Sequence, residues 1–437
     1  MMLCLGLTAQ AQWWTGMSQK TGLALCIHLT DTSAELYSPM QTQEPIPVSS
    51  WSLQDNGLTI ECKNIGFKTV LSRAGDSWHG YWKQSIFKED ITFFPTDTIF
   101  QLRRPQTPQP PYRFDEETVT ADFTDSHGNQ VHLEGTLTYP KGGGRYPTVV
   151  LVSGSGQQNR DEEIFSHKPF LVLADYLASR GIAVLRYDDR GVGASIGNLD
   201  NATTALFSED AEVMFNALKG NPHIDPMRLG MGGHSEGGAI APMVAARNKD
   251  VKFVVMLAGQ GCTGLDVLLQ QNEAIYRANG LGDSLLALRQ DCMRELLTLP
   301  TDSKKKDYQA VIDRHTAGLT KEQVDSMGFG RGAAHTMKQQ MDMSWMRDFI
   351  ALAPDGYLPS VKCPVLALGG SKDCQVLAHP NLDRIKQLCP QADCREMQGL
   401  NHLFQQSKTG APDEYVLIEE TFSSEAMQAI ADWILKL

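Results

Sequence analysis

A serine flanked by glycines is the feature of this 437-residue chain that most suggests chemistry. The segment GGHSEGG places Ser235 in a Gly-x-Ser-x-Gly pattern, between a run typical of a strand (RLGMGG) and one typical of a helix (GGAIAPMVAA). A sharp turn between a strand and a helix exposes a hydroxyl above the sheet and leaves room only for glycine on either side. A serine hydroxyl needs a base to take its proton at neutral pH. The pattern therefore predicts that Ser235 is a nucleophile for acyl transfer, if a base lies elsewhere in the chain.

An acid and a histidine follow predicted strands later in the chain. Asp373 ends the segment ALGGSKD and His402 ends the segment MQGLNH. The carboxyl ends of parallel strands meet at one edge of a sheet, where these side chains would converge on Ser235. We therefore predict His402 as the base and Asp373 as the acid that orients it. Three nearby residues fit less well, because they lie in a predicted helix, before a strand, or too soon after the acid: Asp383, Asp393 and His379, respectively.

Acyl transfer through a tetrahedral intermediate also requires N–H donors for an oxyanion. One donor is expected to be the backbone N–H of Glu236, directly after the predicted nucleophile. The other is expected in the glycine-rich segment VLVSGSGQQNRDE, which follows an earlier predicted strand. We assign the N–H of Ser155, with those of Gly156 and Gln157 as alternatives. The segment lacks the Gly-Lys-Ser/Thr of a phosphate-binding loop, so no nucleotide is expected.

A second loop, YDDRGVGAS, has a weak resemblance to a dinucleotide-binding loop. We interpret it as a structural turn held by an ion pair. Arg190 in this loop would then pair with Asp161 or Glu162 of the neighbouring glycine-rich segment.

The elements that must position these residues change in character along the chain. Residues 12–104 show short alternating strands and turns, which predict an antiparallel β domain. Residues 105–112 are rich in Pro and Gln and predict a linker. From residue 113 to 437, apolar runs alternate with amphipathic segments, which is typical of a parallel sheet with helices on both faces. Between about 262 and 355 only helical periods occur, and we predict a helical lid over the carboxyl ends of the strands.

Two groups of apolar residues each have two interpretations. In the lid, six residues either line an acyl pocket or pack the lid itself: Met327, Phe329, Met341, Met343, Trp345 and Met346. In the β domain, five aromatic residues either form a platform for a glycan or build a small core: Trp13, Trp14, Trp78, Tyr81 and Trp82.

Composition and charge exclude several classes of function. The net charge of -12 argues against a nucleic-acid partner, which would require a basic surface. No apolar run is long enough to span a bilayer, so stable membrane insertion is not expected. The chain has no CxxC pair and no His/Cys spacing typical of zinc, and we expect no metal.

The first residues predict an exported protein. Residues 1–11 are apolar, then small, and end in Ala-Gln-Ala, which resembles the end of a signal peptide cleaved after Ala11. We therefore expect a periplasmic or secreted location. In an oxidising compartment, some of the nine cysteines could pair, and Cys363 with Cys394 and Cys26 with Cys62 are two candidate bridges. Buried free thiols are the alternative.

The segments VSGSGQQNRDE, YDDRGVGAS, GGHSEGG, GGSKD and GLNH together resemble the α/β-hydrolase superfamily. They are most similar to exported bacterial esterases related to the serine aminopeptidase-like hydrolases, which carry an N-terminal β domain. The resemblance covers residues 113–437 and, more loosely, the part before them. It implies an α/β fold with a mostly parallel central sheet. It also implies cleavage of carboxylic esters in a small molecule, for example an acylated glycan, without a cofactor. Ser153 departs from the pattern, since many relatives have the His of His-Gly there, and Cys374 beside the acid is unusual.

Two other functions compete with ester hydrolysis. A serine peptidase of the aminopeptidase type would use the same fold, with an acidic residue near the lid to hold a peptide terminus; Glu295, Asp302 and Asp325 are available. A non-catalytic protein that binds a glycan or a cell surface would use the β domain. The sequence contains no signal for the oligomeric state.

Overall fold

The computed structural model describes residues 12–18, 21–42, 44–54, 56–84, 87–200 and 202–437. The chain divides into two compact units, the first ending at Arg103 and the second beginning at Arg104. The predicted signal-peptide segment, 1–11, lies outside the described residues, so export stays a prediction.

The described part of the first unit forms an antiparallel sheet. Its eight strands are β1 (Gln12–Met17), β2 (Ala24–Leu29), β3 (Ala34–Tyr37), β4 (Ser50–Gln54), β5 (Gly57–Cys62), β6 (Phe67–Ala74), β7 (Ser77–Gln84) and β8 (Phe87–Thr96). They are ordered β3-β2-β1-β8-β7-β6-β5-β4, so β1 pairs with both β2 and β8. The antiparallel β domain predicted from the alternating pattern is therefore present.

The aromatic residues of the first unit mainly build its core. Trp14, Trp78 and Trp82 are buried with the inward-facing aliphatic residues of the sheet. Trp13 is stacked on the ring of His28, with 4.2 Å between ring centroids. For the three buried tryptophans, the structure corresponds to the core interpretation and not to a glycan platform.

The second unit combines one sheet with helices on both faces. Its strands are β9 (Phe114–Thr124), β10 (Gln130–Pro140), β11 (Tyr146–Val152), β12 (Ala183–Tyr187), β13 (Ile224–His234), β14 (Val254–Leu257), β15 (Val365–Gly370) and β16 (Asp393–Met397). Its helices outside the lid are α1 (Pro169–Ser179), α2 (Thr204–Ala217), α3 (Glu236–Arg247), α10 (Ala378–Leu388) and α11 (Ser424–Ile434). The strand order is β16-β15-β14-β13-β11-β12-β10-β9. Strands β11 to β16 pair in parallel, and β9 and β10 pair antiparallel at one side.

Burial on both faces explains the continuous apolar runs of these strands. In β11, Val149 and Leu151 pack in the cluster that contains residues of α1 and α11. Val150 and Val152 point to the other face and pack with residues of α2 and α3. Since neither face of the strand meets water, period-2 alternation is lost, as the sequence predicts for a central parallel strand.

Six helices replace the strand–helix alternation between β14 and β15. They are α4 (Gly264–Ala278), α5 (Asp283–Leu297), α6 (Lys305–His315), α7 (Lys321–Ser326), α8 (Ala333–Asp342) and α9 (Ser344–Ala351). The predicted insertion is present, and its last two helices meet at Met343. Met327, Phe329 and Met341 are buried in the lid's own core. For these three residues, the acyl-pocket interpretation is wrong, because they pack the lid.

The predicted Pro-rich linker begins inside the second unit. The guanidinium of Arg104 donates hydrogen bonds to the backbone carbonyls of Phe165, Val416 and Ile418. The side chain of Gln106 bonds to the backbone of Phe422. The beginning of this segment is therefore fixed to the second unit through polar contacts.

The eight cysteines of the described residues are all free thiols, so neither candidate bridge is formed in the structure. Burial raises the pKa of both Cys363 and Cys394, to about 11 in each case, which makes the thiolate scarce near neutral pH. Across the described ranges, the helices are too short or too polar to cross a membrane.

Candidate active site

Ser235 lies on a strained turn between β13 and α3. Its backbone has φ 54° and ψ -115°, a conformation that L-residues rarely adopt. A Cβ on Gly233 would lie 2.1 Å from the carbonyl oxygen of Gly237. A Cβ on Gly237 would lie 2.1 Å from the carbonyl oxygen of Val152. Close packing of the helix against the sheet therefore requires both glycines, and Ser235 is held half-buried at the start of α3.

Asp373 and His402 come together at the same edge of the sheet. Asp373 follows β15, His402 follows β16, and Nδ1 of His402 is 2.8 Å from Oδ2 of Asp373. The other carboxylate oxygen of Asp373 accepts the N–H groups of Gln375 and Val376, at 2.7 and 2.9 Å. Both partners are almost fully buried. Because the carboxylate accepts, Nδ1 of His402 carries the proton and Nε2 keeps its lone pair.

Ser235 is close to this pair but is not bonded to it. Among the described residues, the Ser235 hydroxyl has no hydrogen-bond partner. Its neighbour His234 contacts His402 directly, with 4.6 Å between the two ring centroids. The structure thus brings the predicted acid and base together and places the predicted nucleophile beside them.

The turn that carries His402 is fixed by a buried asparagine that sequence reasoning missed. Oδ1 of Asn401 accepts the N–H groups of Leu403 and Gln405, at 3.0 and 2.9 Å. Its Nδ2 donates to the side chain of Gln405. Asn401 is fully buried, so this network sets the path of the backbone on either side of His402. Asn before His in GLNH was the available signal.

The glycine-rich loop after β11 lies against the nucleophile. A Cβ on Gly154 would be 3.3 Å from Cβ of Ser235. The N–H of Gly154 is already used, since it donates to Oε1 of Glu162 at 2.6 Å. Within the described residues, the predicted oxyanion donors, the N–H groups of Ser155 and Glu236, have no partner. The N–H groups of Gly156 and Gln157 likewise have no partner among the described residues. Each of the three loop N–H groups is therefore available as the second oxyanion donor.

Both ends of this loop are held by one buried carboxyl group. Ser153 donates its hydroxyl to Oδ1 of Asp189 at 2.8 Å, and the N–H of Gln158 donates to Oδ2 at 2.9 Å. Burial raises the pKa of Asp189 to about 8, against the hydrogen bonds that favour its charged form. Ser153, which departs from the His-Gly of relatives, therefore serves as an anchor of the loop. Sequence reasoning missed Asp189, although Asp189 lies in a loop that it had singled out.

The predicted ion pair of Arg190 is wrong. Its guanidinium binds Asp125 at 2.8 Å and Asp210 at 2.6 Å, and all three side chains are buried. Asp161 instead pairs with Arg186. The interpretation of this loop as a structural turn fits these contacts. Its partners, however, come from the turn after β9 and from α2, which the sequence pattern did not connect to the loop.

Glu162 forms a second carboxylate–histidine pair. Its Oε1 is 2.9 Å from Nδ1 of His234, the last residue of β13. Nε2 of His234 is 2.9 Å from the backbone carbonyl of His402. Burial opposes the charged form of His234, but the facing carboxylate of Glu162 outweighs it and raises the pKa of His234. Nothing in the sequence pattern links these two residues.

The lid contacts the residue that follows the nucleophile. The indole N–H of Trp345, in α9, donates to both carboxylate oxygens of Glu236, at 2.9 and 3.0 Å. Thr204 donates its hydroxyl to the same carboxylate at 2.6 Å. Burial raises the pKa of Glu236, although both donors favour its charged form. Trp345 is therefore a lid residue that reaches the site, while Met343 is exposed.

The fold and these positions define the class of the protein. A mostly parallel sheet carries a serine elbow after β13, an acid after β15 and a histidine after β16. This is the arrangement of an α/β-hydrolase fold. The fold class predicted from the sequence is confirmed.

Comparison with known proteins supports this assignment. Residues 166–373 match the family described as Hydrolase_4, serine aminopeptidase, S33. Esterase EstD of Thermotoga maritima is 36% identical over 149 residues, which cover 34% of this chain and 33% of that relative. The chain thus aligns with about a third of the length of this relative.

Solved structures are similar to this chain at low identity. The structure of DcsB in complex with its substrate analogue covers 74% of this chain and 98% of its own, with 18% identity and a TM-score of 0.44. The Pyrococcus furiosus esterase Pf2001 covers 77% and 98%, with 15% identity and a TM-score of 0.43. Similarities of this size say nothing about what this chain acts upon.

Proposed function

We propose that the second unit is a serine hydrolase that cleaves carboxylic esters. Ser235 is the nucleophile, His402 the base and Asp373 the acid. The observation that carries the proposal is the buried 2.8 Å hydrogen bond between His402 and Asp373, beside a serine on a strained strand–helix turn. The 36% identity to a relative named as an esterase supports the same reaction.

The chemistry follows from the positions of the hydrogen atoms. His402 accepts the proton of Ser235 at Nε2 while the serine oxygen attacks the ester carbonyl. Asp373 stays ionised and stabilises the imidazolium that forms. The N–H groups of Glu236 and Ser155 bind the oxyanion. The intermediate then expels the alcohol, which takes the proton from His402 and leaves an acyl group on Ser235. Water, deprotonated by His402, attacks the acyl carbonyl, and the carboxylic acid leaves as Ser235 takes the proton back from His402.

Hydrolysis of p-nitrophenyl acetate, butyrate and octanoate by the wild type and by Ser235→Ala tests this proposal. We expect Ser235→Ala to lower kcat/KM by about a thousandfold or more, because the attacking oxygen is removed. The dependence of kcat/KM on acyl length measures the acyl pocket. A wild type that is inactive on all three esters, or an active Ser235→Ala variant, would contradict the proposal.

Peptide cleavage is a second candidate because the matching family is described as serine aminopeptidase. Of the acidic residues predicted to hold a peptide terminus, Glu295 is already paired with Arg314 and His315. Asp302 and Asp325 are exposed on the lid. Rates on aminoacyl p-nitroanilides and on matched p-nitrophenyl esters separate the two reactions. Faster amide cleavage, abolished in Ser235→Ala, would favour the peptidase.

Export and an acylated glycan substrate are further parts of the proposal. The apolar and small residues of 1–11 support export, and mass spectrometry of the protein from its native host tests it. A mature chain that begins at Gln12 is the expected result. Release of acetate from acetylated oligosaccharides tests the substrate class.

A further inference from the structure

The pair formed by Glu162 and His234 lies beside the proposed catalytic residues but has no part in the reaction described above. His234 immediately precedes Ser235, and Glu162 lies in the loop between β11 and α1. Both side chains are buried, with 5% and 7% of their surface exposed. Glu162 has φ 52°, so its backbone is held in a conformation that costs free energy for a residue with a Cβ.

The hydrogen bonds of the pair fix where its hydrogen atoms lie. The carbonyl oxygen of His402 can only accept, so Nε2 of His234 must carry a hydrogen. The N–H of Gly154 can only donate, so Oε1 of Glu162 accepts it. One further proton lies between Nδ1 of His234 and Oε1 of Glu162, and it holds the two side chains together. The imidazole therefore has a single orientation, with its Nε2–H directed at the backbone of His402.

These bonds connect three segments, of which strand pairing joins only two, since β11 and β13 are paired up to Val152 and Gly233 but the turn after β16 lies apart. Gly154 belongs to the loop with the proposed oxyanion donor, His234 to the elbow, and His402 to the turn after β16. In the sheet, β16 is separated from β13 by β15 and β14. The spacing between the elbow and the turn of His402 is therefore free to vary with the twist of the sheet, unless a direct bond sets it. The bond from His234 to His402 is such a contact.

We propose that Glu162 and His234 are positioning residues, which hold the oxyanion loop and the His402 turn at fixed distances from Ser235. They act through the N–H of Gly154 and the backbone carbonyl of His402, and they touch neither the substrate nor the reacting atoms. This inference rests on the proposed function. It has one immediate consequence: the N–H of Gly154 is used to hold the loop, so the loop's oxyanion donor must come from the residues after it.

The test compares four variants with a matched control. Glu162→Gln keeps an acceptor for Gly154 but removes the charge that faces His234. His234→Asn keeps a donor near Nδ1 and loses the bond to His402. The double variant combines both changes, and Ser235→Ala reports on the proposed function itself. Glu163→Gln is the control, because it removes the same charge from the next residue, which is paired with Lys168.

Misplacing a reacting group by about an ångström costs roughly a hundredfold in rate. We therefore expect Glu162→Gln and His234→Asn each to lower kcat on p-nitrophenyl butyrate by about 10-fold to 100-fold, with KM changed less than about threefold. The double variant should be no slower than the slower single variant, since either change breaks the same chain of bonds. Glu163→Gln should stay within about twofold of the wild type. A merely structural role would lower the melting temperature without this split between kcat and KM.

If Glu162→Gln fails to fold, a comparison of His234→Gln with His234→Ala still tests the positioning role. The amide of His234→Gln reaches the position of Nε2 and can still donate to the carbonyl of His402. It should retain a kcat about tenfold above that of His234→Ala. Equal rates for these two variants, or a wild-type kcat in both Glu162→Gln and His234→Asn, would overturn the inference. In that case an active wild type and an inactive Ser235→Ala would leave the proposed function standing. An inactive wild type would contradict both the proposed function and the positioning role of Glu162 and His234.

Discussion

Two buried carboxylate–histidine pairs lie next to each other in this site, and they differ in one contact. Asp373 and His402 are 2.8 Å apart, and Glu162 and His234 are 2.9 Å apart. Nε2 of His234 donates to a backbone carbonyl, whereas Nε2 of His402 has no partner among the described residues. The comparison shows that a carboxylate beside a histidine does not define a base. The group that faces the second nitrogen decides whether the histidine holds structure or accepts a proton.

Amide substitution in the two pairs gives the largest expected difference. Asp373→Asn presents an N–H to Nδ1 of His402, so the proton moves to Nε2 and the base is lost. We expect kcat to fall by about 10³-fold to 10⁴-fold, against about 10-fold to 100-fold for Glu162→Gln. Steady-state kinetics on one ester measures both. Equal decreases of kcat in the two variants would show that the two pairs have equivalent roles, which would contradict the distinction between them.

A third buried histidine, His167, has no carboxylate partner among the described residues, and its pKa shifts in the opposite direction to that of His234. Burial, together with the nearby Arg104 cation, lowers the pKa of His167 to about 4. Its ordinary pKa is about 6.5, so the folded state favours the neutral ring. This contribution to stability is complete above pH 6.5 and is lost as the pH falls from 6.5 to 4. The loss amounts to about 3 kcal/mol at most.

Urea unfolding between pH 7 and 4 measures this effect. His167→Gln should lose less stability over that range than the wild type, because it has no proton to gain. His379→Gln is the control, since His379 is exposed beside Asp383 and contributes no buried neutral ring. Parallel curves for the wild type and His167→Gln would contradict the expectation.

The carboxyl group of Asp189 can hold both ends of the oxyanion loop in its neutral form. Burial raises its pKa to about 8, which favours the neutral carboxyl group at neutral pH. The ionised carboxylate accepts from the Ser153 hydroxyl and the Gln158 N–H, whereas the O–H of the neutral form donates to the Ser153 oxygen while the other oxygen still accepts from Gln158. Asparagine offers the same donor and acceptor. Asp189→Asn should therefore keep kcat within about threefold, whereas Asp189→Ala should lower it about tenfold by freeing the oxyanion loop. A large loss in Asp189→Asn would show that the charge itself is needed.

The contact between the lid and the elbow is expected to give the smallest effect. Trp345→Phe keeps the aromatic packing on Phe349 and removes the donor to Glu236. The lost hydrogen bond should weaken the protection of α9 amides from hydrogen exchange by about 1 kcal/mol. Trp433→Phe, which removes an indole N–H in α11, is the matched control. Unchanged exchange in α9 would mean that the bond does not hold the lid.

The site residues that directly follow strands could be predicted from the sequence, whereas the pairs formed between distant segments could not. Asp373 and His402 each come directly after a predicted strand, and parallel strands end at one edge, so local patterns placed both. Glu162 and His234 are 72 residues apart, and no periodicity connects them. The same limit explains why the predicted ion pair of Arg190 is wrong. Its partners were predicted in a neighbouring loop, but they lie in other parts of the fold.

Apolar patterns had a related limit in the lid. Helical period predicted the insertion, but it does not say which neighbour an apolar face meets. Met327 and Met341 pack inside the lid, and Trp345 reaches Glu236 through its one polar atom. Cysteine spacing was equally silent on pairing, and the described cysteines are free.

The glycines of the elbow show what a Gly-x-Ser-x-Gly search detects. At both positions a Cβ would lie 2.1 Å from a backbone oxygen, so the pattern is imposed by the close crossing of a helix over two strands. That requirement is the same whether or not the serine ever reacts. Of the three fixed residues in the pattern, the two glycines reflect how tightly this crossing is packed, and only the serine hydroxyl reflects chemistry. To build the activity into another protein, an engineer must reproduce the close crossing of the helix over the two strands, because copying the Gly-x-Ser-x-Gly pattern alone does not supply it.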